Sequence, residues 1–107
     1  MKATDTFRNP QFGHNCAQAV ANKYSSMYNE NDIVSSYAPY VGGRAPDGLC
    51  GALFAAKEAV PEHAQEIEAE FIKICGASTC RQIKAESKTS CHVCVDTADQ
   101  LVEKYSR

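Results

Sequence analysis

The segment from Cys91 to Tyr105 carries the pattern that most restricts the fold. Apolar side chains recur there three and four residues apart, which is the spacing of one face of an α-helix. These residues are Cys91, Cys94, Val95, Ala98, Leu101, Val102 and Tyr105. The chain has no stretch with strand-like alternation and no long run of Val, Ile or Thr. The sequence therefore predicts an all-α fold, a compact bundle of about five to six helices, several of them short.

Composition favours one folded helical domain over residues 1–107. Hydrophobic residues make up 44% of the chain and charged residues 22%, which is typical of a globular protein. The net charge is −2 and no basic stripe is interleaved with aromatics, so nucleic-acid binding is not expected. No apolar run reaches membrane length, and the N-terminal segment has no apolar signal region. We therefore expect a cytoplasmic protein without a membrane partner.

Capping residues and glycine or proline breaks divide the chain into six predicted helices. They are expected at about 15–28 behind Asn15, at 32–40 behind Asp32, at 48–59 behind Asp47, from Pro61 to a stop at Gly76, from Ser78 or Thr79 to about Glu86, and behind Ser90. Residues 28–32 are predicted to break the first helix, and residues 38–48 are predicted to form a loop, because the glycines and prolines of this loop cannot propagate a helix. The Gly-Gly-Arg sequence at 42–44 lacks the strand–loop–helix setting of a phosphate-binding loop.

The six cysteines are the chemically distinctive feature of the chain. A reducing cytosol disfavours permanent disulfides, so metal binding or redox chemistry is the better interpretation, with inert buried thiols as its alternative. Four of the six lie at predicted helix starts, each behind a capping residue: Cys16, Cys50, Cys80 and Cys91. Free N–H groups and the helix dipole stabilise an anion there, which favours the reactive thiolate.

The remaining two cysteines suggest different roles. Cys75 lies at a helix end on an apolar stripe, where the dipole disfavours a thiolate, and is predicted to be a core residue. Cys94 completes a Cys-X-X-Cys motif with Cys91, but the βαβ context of a thioredoxin is missing. Cys75, Cys80, Cys91 and Cys94 together would also satisfy a Cys₄ zinc site.

Neighbouring residues carry weaker signals. Gly48 and Gly51 flank Cys50, either to let another group approach its thiol or to start and pack the helix. His14 and His92 each adjoin a helix-start cysteine and could tune a thiolate, although a surface or capping role is more common. Arg81, beside Cys80, is interpreted as a solvated arginine.

The four helix-start cysteines stand in the sequences GHNCAQAV, GGRAPDGLCGAL, STCRQI and SCHVCVDTADQLVE. Their order and surroundings resemble the C_GCAxxG_C_C family of redox-active proteins, over about residues 12–105. The family's motif cysteines fall on Cys16, Cys50, Cys80 and Cys91, and Ala55 replaces the motif's last glycine. The resemblance implies a small helical protein with a redox role. Its likeness to the iron–sulfur part of split-Soret cytochromes favours a cluster.

Three functions follow as hypotheses. In the first, Cys16, Cys50, Cys80 and Cys91, with Cys94 as a further candidate, ligate an iron–sulfur cluster for electron transfer, or zinc in its place. In the second, a metal-free protein cycles a cysteine pair between dithiol and disulfide, with Cys91–Cys94 or Cys16–Cys50 as the pair. In the third, the domain is zinc-stabilised or structurally inert. The first two imply an electron-transfer or redox partner protein, and the sequence leaves open a homodimer and the choice between enzyme and carrier.

Overall fold

The computed structural model describes residues 2–28, 32–40 and 45–106. Over these ranges the chain forms six α-helices and no β-strand, which confirms the predicted all-α fold. The helices are α1 (Cys16–Lys23), α2 (Ile33–Ser36), α3 (Gly51–Ala59), α4 (Ala64–Cys75), α5 (Cys80–Gln82) and α6 (Cys91–Tyr105). Short 3₁₀ turns at Ala3–Asp5, Ser25–Met27, Pro46–Gly48 and Pro61–His63 join them, and a π-helical turn at Ile83–Ser87 follows α5.

Three predicted capping residues begin their helices, and one predicted stop ends its helix. Asn15 accepts a hydrogen bond from the N–H of Gln18 at 2.8 Å, and the Gln18 side chain accepts one from the N–H of Asn15 at 3.0 Å. This reciprocal pair satisfies two free donors at the start of α1. Thr79 and Ser90 each accept from the N–H three residues on, at 3.2 and 3.3 Å. Gly76 ends α4 with a φ of +93°, a conformation that glycine adopts without steric cost.

Two other predicted helices differ from the structure in their caps or bounds. Helix α2 begins directly after Asp32, as predicted, but Asp32 has a left-handed conformation, its side chain makes no capping hydrogen bond, and the helix ends at Ser36 rather than near residue 40. The backbone of Asp47 belongs to the 3₁₀ turn before α3, which begins only at Gly51. Cys50 therefore occupies the N-cap position of α3 itself. The 3₁₀ turn at Pro46–Gly48 includes Asp47 and Gly48, which the sequence pattern assigned to the cap and the first residue of the helix.

The first helix is also shorter than predicted. It ends at Lys23, and the remainder of the predicted span is a 3₁₀ turn at Ser25–Met27. Serine side chains compete for backbone hydrogen bonds and so favour helix ends over helix interiors, which explains the early stop at Ser25. The predicted breaks at residues 29–31 and 41–44, including the Gly-Gly-Arg sequence, lie outside the described residues.

Helix α3 forms the centre of the core. It packs against α1, α4 and α6, and six of its nine residues are buried. The sequence pattern of Leu49, Ala52, Leu53, Ala56 and Val60 predicts only one apolar face for this helix. The buried part of α3 is wider than one face, because alanines at positions 52, 55, 56 and 59 let neighbouring helices approach from several sides. Leu53 and Val60 fill the interior together with Phe71 from α4.

The apolar stripe predicted for α4 is mostly buried. Ile67, Phe71 and Cys75 are inaccessible to solvent, whereas Ile74 is 58% exposed. Ile74 lies beside an open groove between α4 and α6, which Leu101 also lines, so no neighbouring element covers it. In α6 the central residues of the predicted stripe are buried, and its two ends, Cys91 and Tyr105, are half-buried.

A buried carboxylate ties the N-terminal segment to the bundle. Asp99, on α6, accepts hydrogen bonds from the Ala3 N–H at 2.8 Å, the Tyr24 hydroxyl at 2.6 Å and the Lys23 ammonium at 2.7 Å. Asp99 is 2% exposed, so these three donors replace the water that a buried charge loses. The segment before α1 is thereby held against α1 and α6. Among the described helices, none has the length and apolarity needed to cross a bilayer.

Candidate functional site

One cavity of about 110 Å³ collects the four cysteines predicted at helix starts. Cys16, Cys50, Cys80 and Cys91 all line it, from four different helices or helix caps. Its remaining walls come from Phe7, Arg8, Asn15, Gly51 and Lys84. The four residues thus line one space although they are up to 75 positions apart in the chain.

Backbone contacts bring two of these helix starts side by side. The Cys50 N–H donates to the Ser78 carbonyl at 2.9 Å, and Leu49 and Thr79 form an isolated antiparallel bridge. Thr79 then caps α5, which begins at Cys80. The start of α3 is therefore fastened to the start of α5, and both cysteines face the same cavity.

Gly51 lets the sulfur of Cys16 come close to α3. A Cβ atom at position 51 would lie 2.9 Å from Cys16 Sγ and 2.5 Å from the Tyr40 carbonyl oxygen. Neither distance is compatible with a real side chain, and the carbonyl belongs to the backbone and cannot rotate away. The glycine thus serves close packing of α1 on α3, one of the two interpretations of its sequence position. By contrast, a Cβ atom at Gly48 would meet no neighbour within 4 Å, and its φ of +71° explains that glycine.

The surroundings of Cys50 favour its thiolate form. The neighbouring Cys16 and Cys94 thiols, with the N–H groups of Leu53 and Ala52, hold the pKa of Cys50 well below its ordinary value, although burial opposes them. Neither N–H forms a hydrogen bond of regular cap geometry, so their effect is that of nearby dipoles at the start of α3. The neighbouring Cys50 thiol, together with burial, raises the pKa of Cys16. Cys50 is therefore the thiolate of this pair, and Cys16 is the protonated donor.

Two buried cysteines lie behind the cavity in the core, Cys75 and Cys94. The neighbouring thiols of Cys50 and Cys75, together with burial, raise the pKa of Cys94. The Cys94 thiol, followed by the Thr97 hydroxyl, lowers the pKa of Cys75 against the effect of burial. The burial predicted for Cys75 is confirmed, since the residue is 0% exposed at the end of α4.

Two cationic residues that the sequence analysis did not identify, Arg8 and Lys84, line the cavity. The Arg8 guanidinium lies 4.9 Å from the centre of the Phe7 ring, which holds it at the cavity wall. Lys84 lies one turn beyond Cys80, and this spacing of four residues was the available signal. Arg8 carried no such signal, because its segment reaches the cavity only through tertiary packing. Neither cation forms an ion pair with any carboxylate that the structure describes.

The histidines and Arg81 stay outside the cavity lining. His14 lies against Phe12, burial lowers its pKa, and its Nδ1 atom is enclosed without a hydrogen-bond partner among the described residues. The lowered pKa of His14 favours its neutral form at physiological pH. The His92 ring lies at a tilt against Phe7, with ring centres 5.8 Å apart. Arg81 is exposed, in agreement with its interpretation as solvated.

The site does not have the arrangement of a single-ion metal centre. Among residues 2–28, 32–40 and 45–106, no group of three or more His, Cys, Asp or Glu side chains is placed to hold a metal ion. All six cysteines belong to this part of the chain and are free thiols. The set Cys75, Cys80, Cys91 and Cys94 is divided between the core and the cavity, so the Cys₄ zinc arrangement does not form.

Comparison with protein-family models, with curated proteins and with solved structures found no match to this chain.

Proposed function

We propose that this protein is a thiol–disulfide redox protein whose reactive pair is Cys16 and Cys50. The observation that carries the proposal is that Cys16 and Cys50 line one cavity and that Cys16 Sγ lies against Gly51, the residue next to Cys50. The lowered pKa of Cys50 and the raised pKa of Cys16 favour Cys50 as the thiolate of the pair. A thiolate is the species that attacks a disulfide, and a neighbouring thiol is what completes the exchange. The site supplies both.

The reaction is a two-step exchange with a disulfide of a partner. The Cys50 thiolate attacks one partner sulfur, an S–S bond forms, and the other partner sulfur leaves as a thiolate. Cys16 then loses its proton to the leaving thiolate or to water and attacks Cys50, which releases the second partner thiolate and closes the Cys16–Cys50 disulfide. Two electrons pass to the partner, which ends as a dithiol, and the protein ends as a disulfide.

The cavity walls define which partner is favoured. Arg8 and Lys84 place positive charge beside the reacting sulfurs, and Phe7 adds an apolar surface. These groups favour an anionic disulfide and stabilise the thiolates that form during exchange. Cys80 and Cys91 line the same cavity but are not part of the proposed exchange.

An iron–sulfur cluster is the second candidate. The observation that favours it is that the four cysteines of the family-like motif line one cavity at or beside helix starts. Such a cluster is held by four cysteine thiolates distributed over several metal atoms, so its ligands surround a space rather than meet at a point. The alternative is tested in the same experiment as the thiol proposal.

The test is anaerobic purification of the full chain, followed by its visible spectrum, assays of iron, sulfide and zinc, and thiol counts in the reduced and oxidised protein. The thiol proposal predicts a colourless protein that loses two thiols on mild oxidation and regains them with a dithiol reductant. C16S and C50S should each abolish this two-thiol change, whereas C80S, a cavity-lining control, should retain it. Broad absorption near 400 nm with stoichiometric iron and sulfide would instead establish the cluster.

A further inference from the structure

The cavity that contains the proposed redox pair has an inner end and an exposed end. Cys50 is 7% exposed and Phe7 is 6% exposed, whereas Arg8 and Lys84 are exposed. All four residues line the same cavity, so the two cationic residues lie toward solvent and Cys50 lies toward the interior. A reactant that enters the cavity therefore passes Arg8 and Lys84 before it meets Cys50.

The size of the cavity limits what can enter it. A cavity of about 150 Å³ holds one benzene molecule, so this cavity of about 110 Å³ holds a chain of about four heavy atoms. In a protein disulfide, only a Cβ atom separates each sulfur from the backbone. The backbone of a protein partner would have to follow its sulfur into this space, which is too small for it. The sulfur and the short carbon chain of a small disulfide do fit.

No acidic side chain balances the two cationic residues of the cavity. Neither Asp nor Glu is among the described residues that line it, and Arg8 and Lys84 form no ion pair with a described carboxylate. Charges that line a cleft attract a ligand of opposite charge more strongly than charges spread over a surface. The exposed end of the cavity therefore favours an acid group on the ligand.

Arg8 is held at the cavity by an uncommon backbone conformation. Its φ is +53°, in the left-handed region that residues other than glycine seldom adopt. The Arg8 N–H donates to the His14 carbonyl at 2.9 Å, and the guanidinium lies 4.9 Å from the centre of the Phe7 ring, so both ends of the residue are fixed. Such conformations persist where the surrounding structure imposes them, and they concentrate at ligand sites.

Lys84 belongs to another irregular element, the π-helical turn at Ile83–Ser87. Turns of this kind are frequent at functional sites. The hydroxyls of Ser87 and Thr89 donate to the Cys75 carbonyl at 2.7 and 2.9 Å, which fastens the end of the turn to the end of α4. Two separate segments, each held by its own hydrogen bonds, thus place a cationic residue at the exposed end of the cavity.

We infer that the disulfide reduced by this protein is a small molecule whose short arm ends in an acid group, with the sulfur of the arm at Cys50 and its acid at Arg8 and Lys84. This inference rests on the proposed function, because Cys16 and Cys50 are the reacting pair. Cys50 first bonds to one arm and releases the other as a thiolate, and Cys16 then bonds to Cys50 and releases the second arm. Two electrons pass to the small disulfide, which leaves as two acidic thiols, and the protons of the protein thiols pass to these thiols or to water.

The inference is tested with 3,3′-dithiodipropionate and the reduced full-length protein. The rate of Cys16–Cys50 formation should saturate as the concentration of this disulfide rises, because a bound complex precedes the exchange. An acid with the same arm whose sulfur cannot exchange, 3-(methylthio)propionate, should slow the reaction and protect Cys50 from iodoacetamide. R8Q combined with K84Q should remove both effects and lower the rate at low concentration by about tenfold. K73Q combined with R81Q removes two exposed charges outside the cavity lining and should retain both effects.

A polypeptide disulfide is the comparison, in the form of the disulfide-linked dimer of a blocked acidic tripeptide with cysteine at its centre. It should react with the folded protein about tenfold more slowly than 3,3′-dithiodipropionate, after each rate is divided by that of the unfolded chain in urea. Faster reaction with the peptide, or neither saturation nor protection with the small acids, refutes this inference, and a Cys16–Cys50 disulfide formed by either reagent still supports the proposed function. If neither reagent forms Cys16–Cys50, the proposed function is refuted. Should the R8Q and K84Q variant fail to fold, saturation and protection in the unsubstituted chain decide.

Discussion

At the scale of single residues, Cys50 owes its anionic character to groups that lie far from it in sequence. The largest contribution comes from the Cys16 thiol on α1, and the next from Cys94 on α6. Only the two N–H groups of α3 are local. A hydrogen bond to a charged group contributes about 1.5–3 kcal/mol, so removal of one donor should be measurable as a pKa change.

The first prediction concerns this donor. C16A should raise the pKa of Cys50 by about 1–2 pH units, because the anion loses a hydrogen bond of that strength. C16S keeps a hydroxyl donor and should preserve most of the lowered pKa. The measurement is the rate of iodoacetamide alkylation of Cys50 against pH, followed by peptide mapping. In the unsubstituted chain the rate should persist as the pH falls below about 8.5, where an ordinary thiol loses its thiolate.

The unfolded chain in urea is the control for this profile, since its thiols have their ordinary pKa. Identical profiles for C16A and the unsubstituted chain would remove Cys16 as the donor. A shift in C16S as large as in C16A would show that the volume of the sulfur matters rather than the hydrogen bond.

The second prediction concerns the glycine beside the pair. G51A should destabilise the fold by about 1–3 kcal/mol, because the new methyl group meets the Tyr40 carbonyl and Cys16 Sγ. It should also slow Cys16–Cys50 disulfide formation by separating α1 from α3. Urea unfolding under reducing conditions and the rate of loss of two thiols measure the two effects.

G48A is the matched control for this prediction. Alanine strains the left-handed backbone at position 48 but displaces no neighbouring atom, so the oxidation rate should stay near that of the unsubstituted chain. Equal oxidation rates for G51A and the unsubstituted chain would contradict the packing role.

At the scale of elements, the site depends on how the N-terminal segment is held. Phe7 and Arg8 reach the cavity because Asp99 on α6 binds the N–H of Ala3 and the side chains of Lys23 and Tyr24 on and after α1. The Arg8 N–H also donates to the His14 carbonyl at 2.9 Å, which closes the segment on itself just before α1. One buried carboxylate therefore aligns three elements around the cavity.

The third prediction tests this anchor. D99A should lower the free energy of unfolding by about 3–5 kcal/mol, because it leaves buried donors without their acceptor. K23A should cost much less, since the carboxylate keeps two donors and the lysine is 24% exposed. Urea unfolding monitored by far-ultraviolet circular dichroism gives both values. Equal losses in the two variants would mean that the ion pair, rather than the whole set of hydrogen bonds, carries the anchoring.

At the scale of the whole molecule, the cationic residues that line the cavity are opposite in sign to the net charge of the chain. The chain carries −2 overall, yet the cavity that contains four thiols is lined by Arg8 and Lys84. Charges that line a cleft act on a ligand more strongly than charges spread over the surface. We therefore expect this cavity to favour an anionic reactant although the chain as a whole carries a net negative charge.

The fourth prediction uses three small disulfides with similar two-carbon arms and different charges. The reduced protein should react faster with 3,3′-dithiodipropionate than with neutral 2-hydroxyethyl disulfide, and slowest with cationic cystamine. R8Q combined with K84Q should reduce the difference between the two charged probes by about tenfold and leave the neutral probe unchanged. Added salt should have the same direction of effect. A preference for cystamine in the unsubstituted chain would contradict the assignment of the cavity walls.

The sequence by itself determined the helical class, three of the helix caps and the stop at Gly76. It also indicated the four cysteines that line the cavity. These features are local, since side-chain spacing, a capping oxygen and a missing Cβ act within one or two turns. Where a local signal competed with another, the prediction failed, as at Asp47, whose 3₁₀ turn moved the start of α3 to Gly51 and placed Cys50 at its cap.

Tertiary structure alone decided which cysteines are neighbours. Nothing in the spacing of Cys16 and Cys50 predicts that they lie together, because this depends on how α1 packs against the start of α3. The two cavity cations and the buried Asp99 likewise depend on residues brought together over most of the chain length. Sequence indicates which side chains can carry the chemistry, whereas packing determines which of them are neighbours, because thiol pKa values and exchange depend on contacts within a few ångströms.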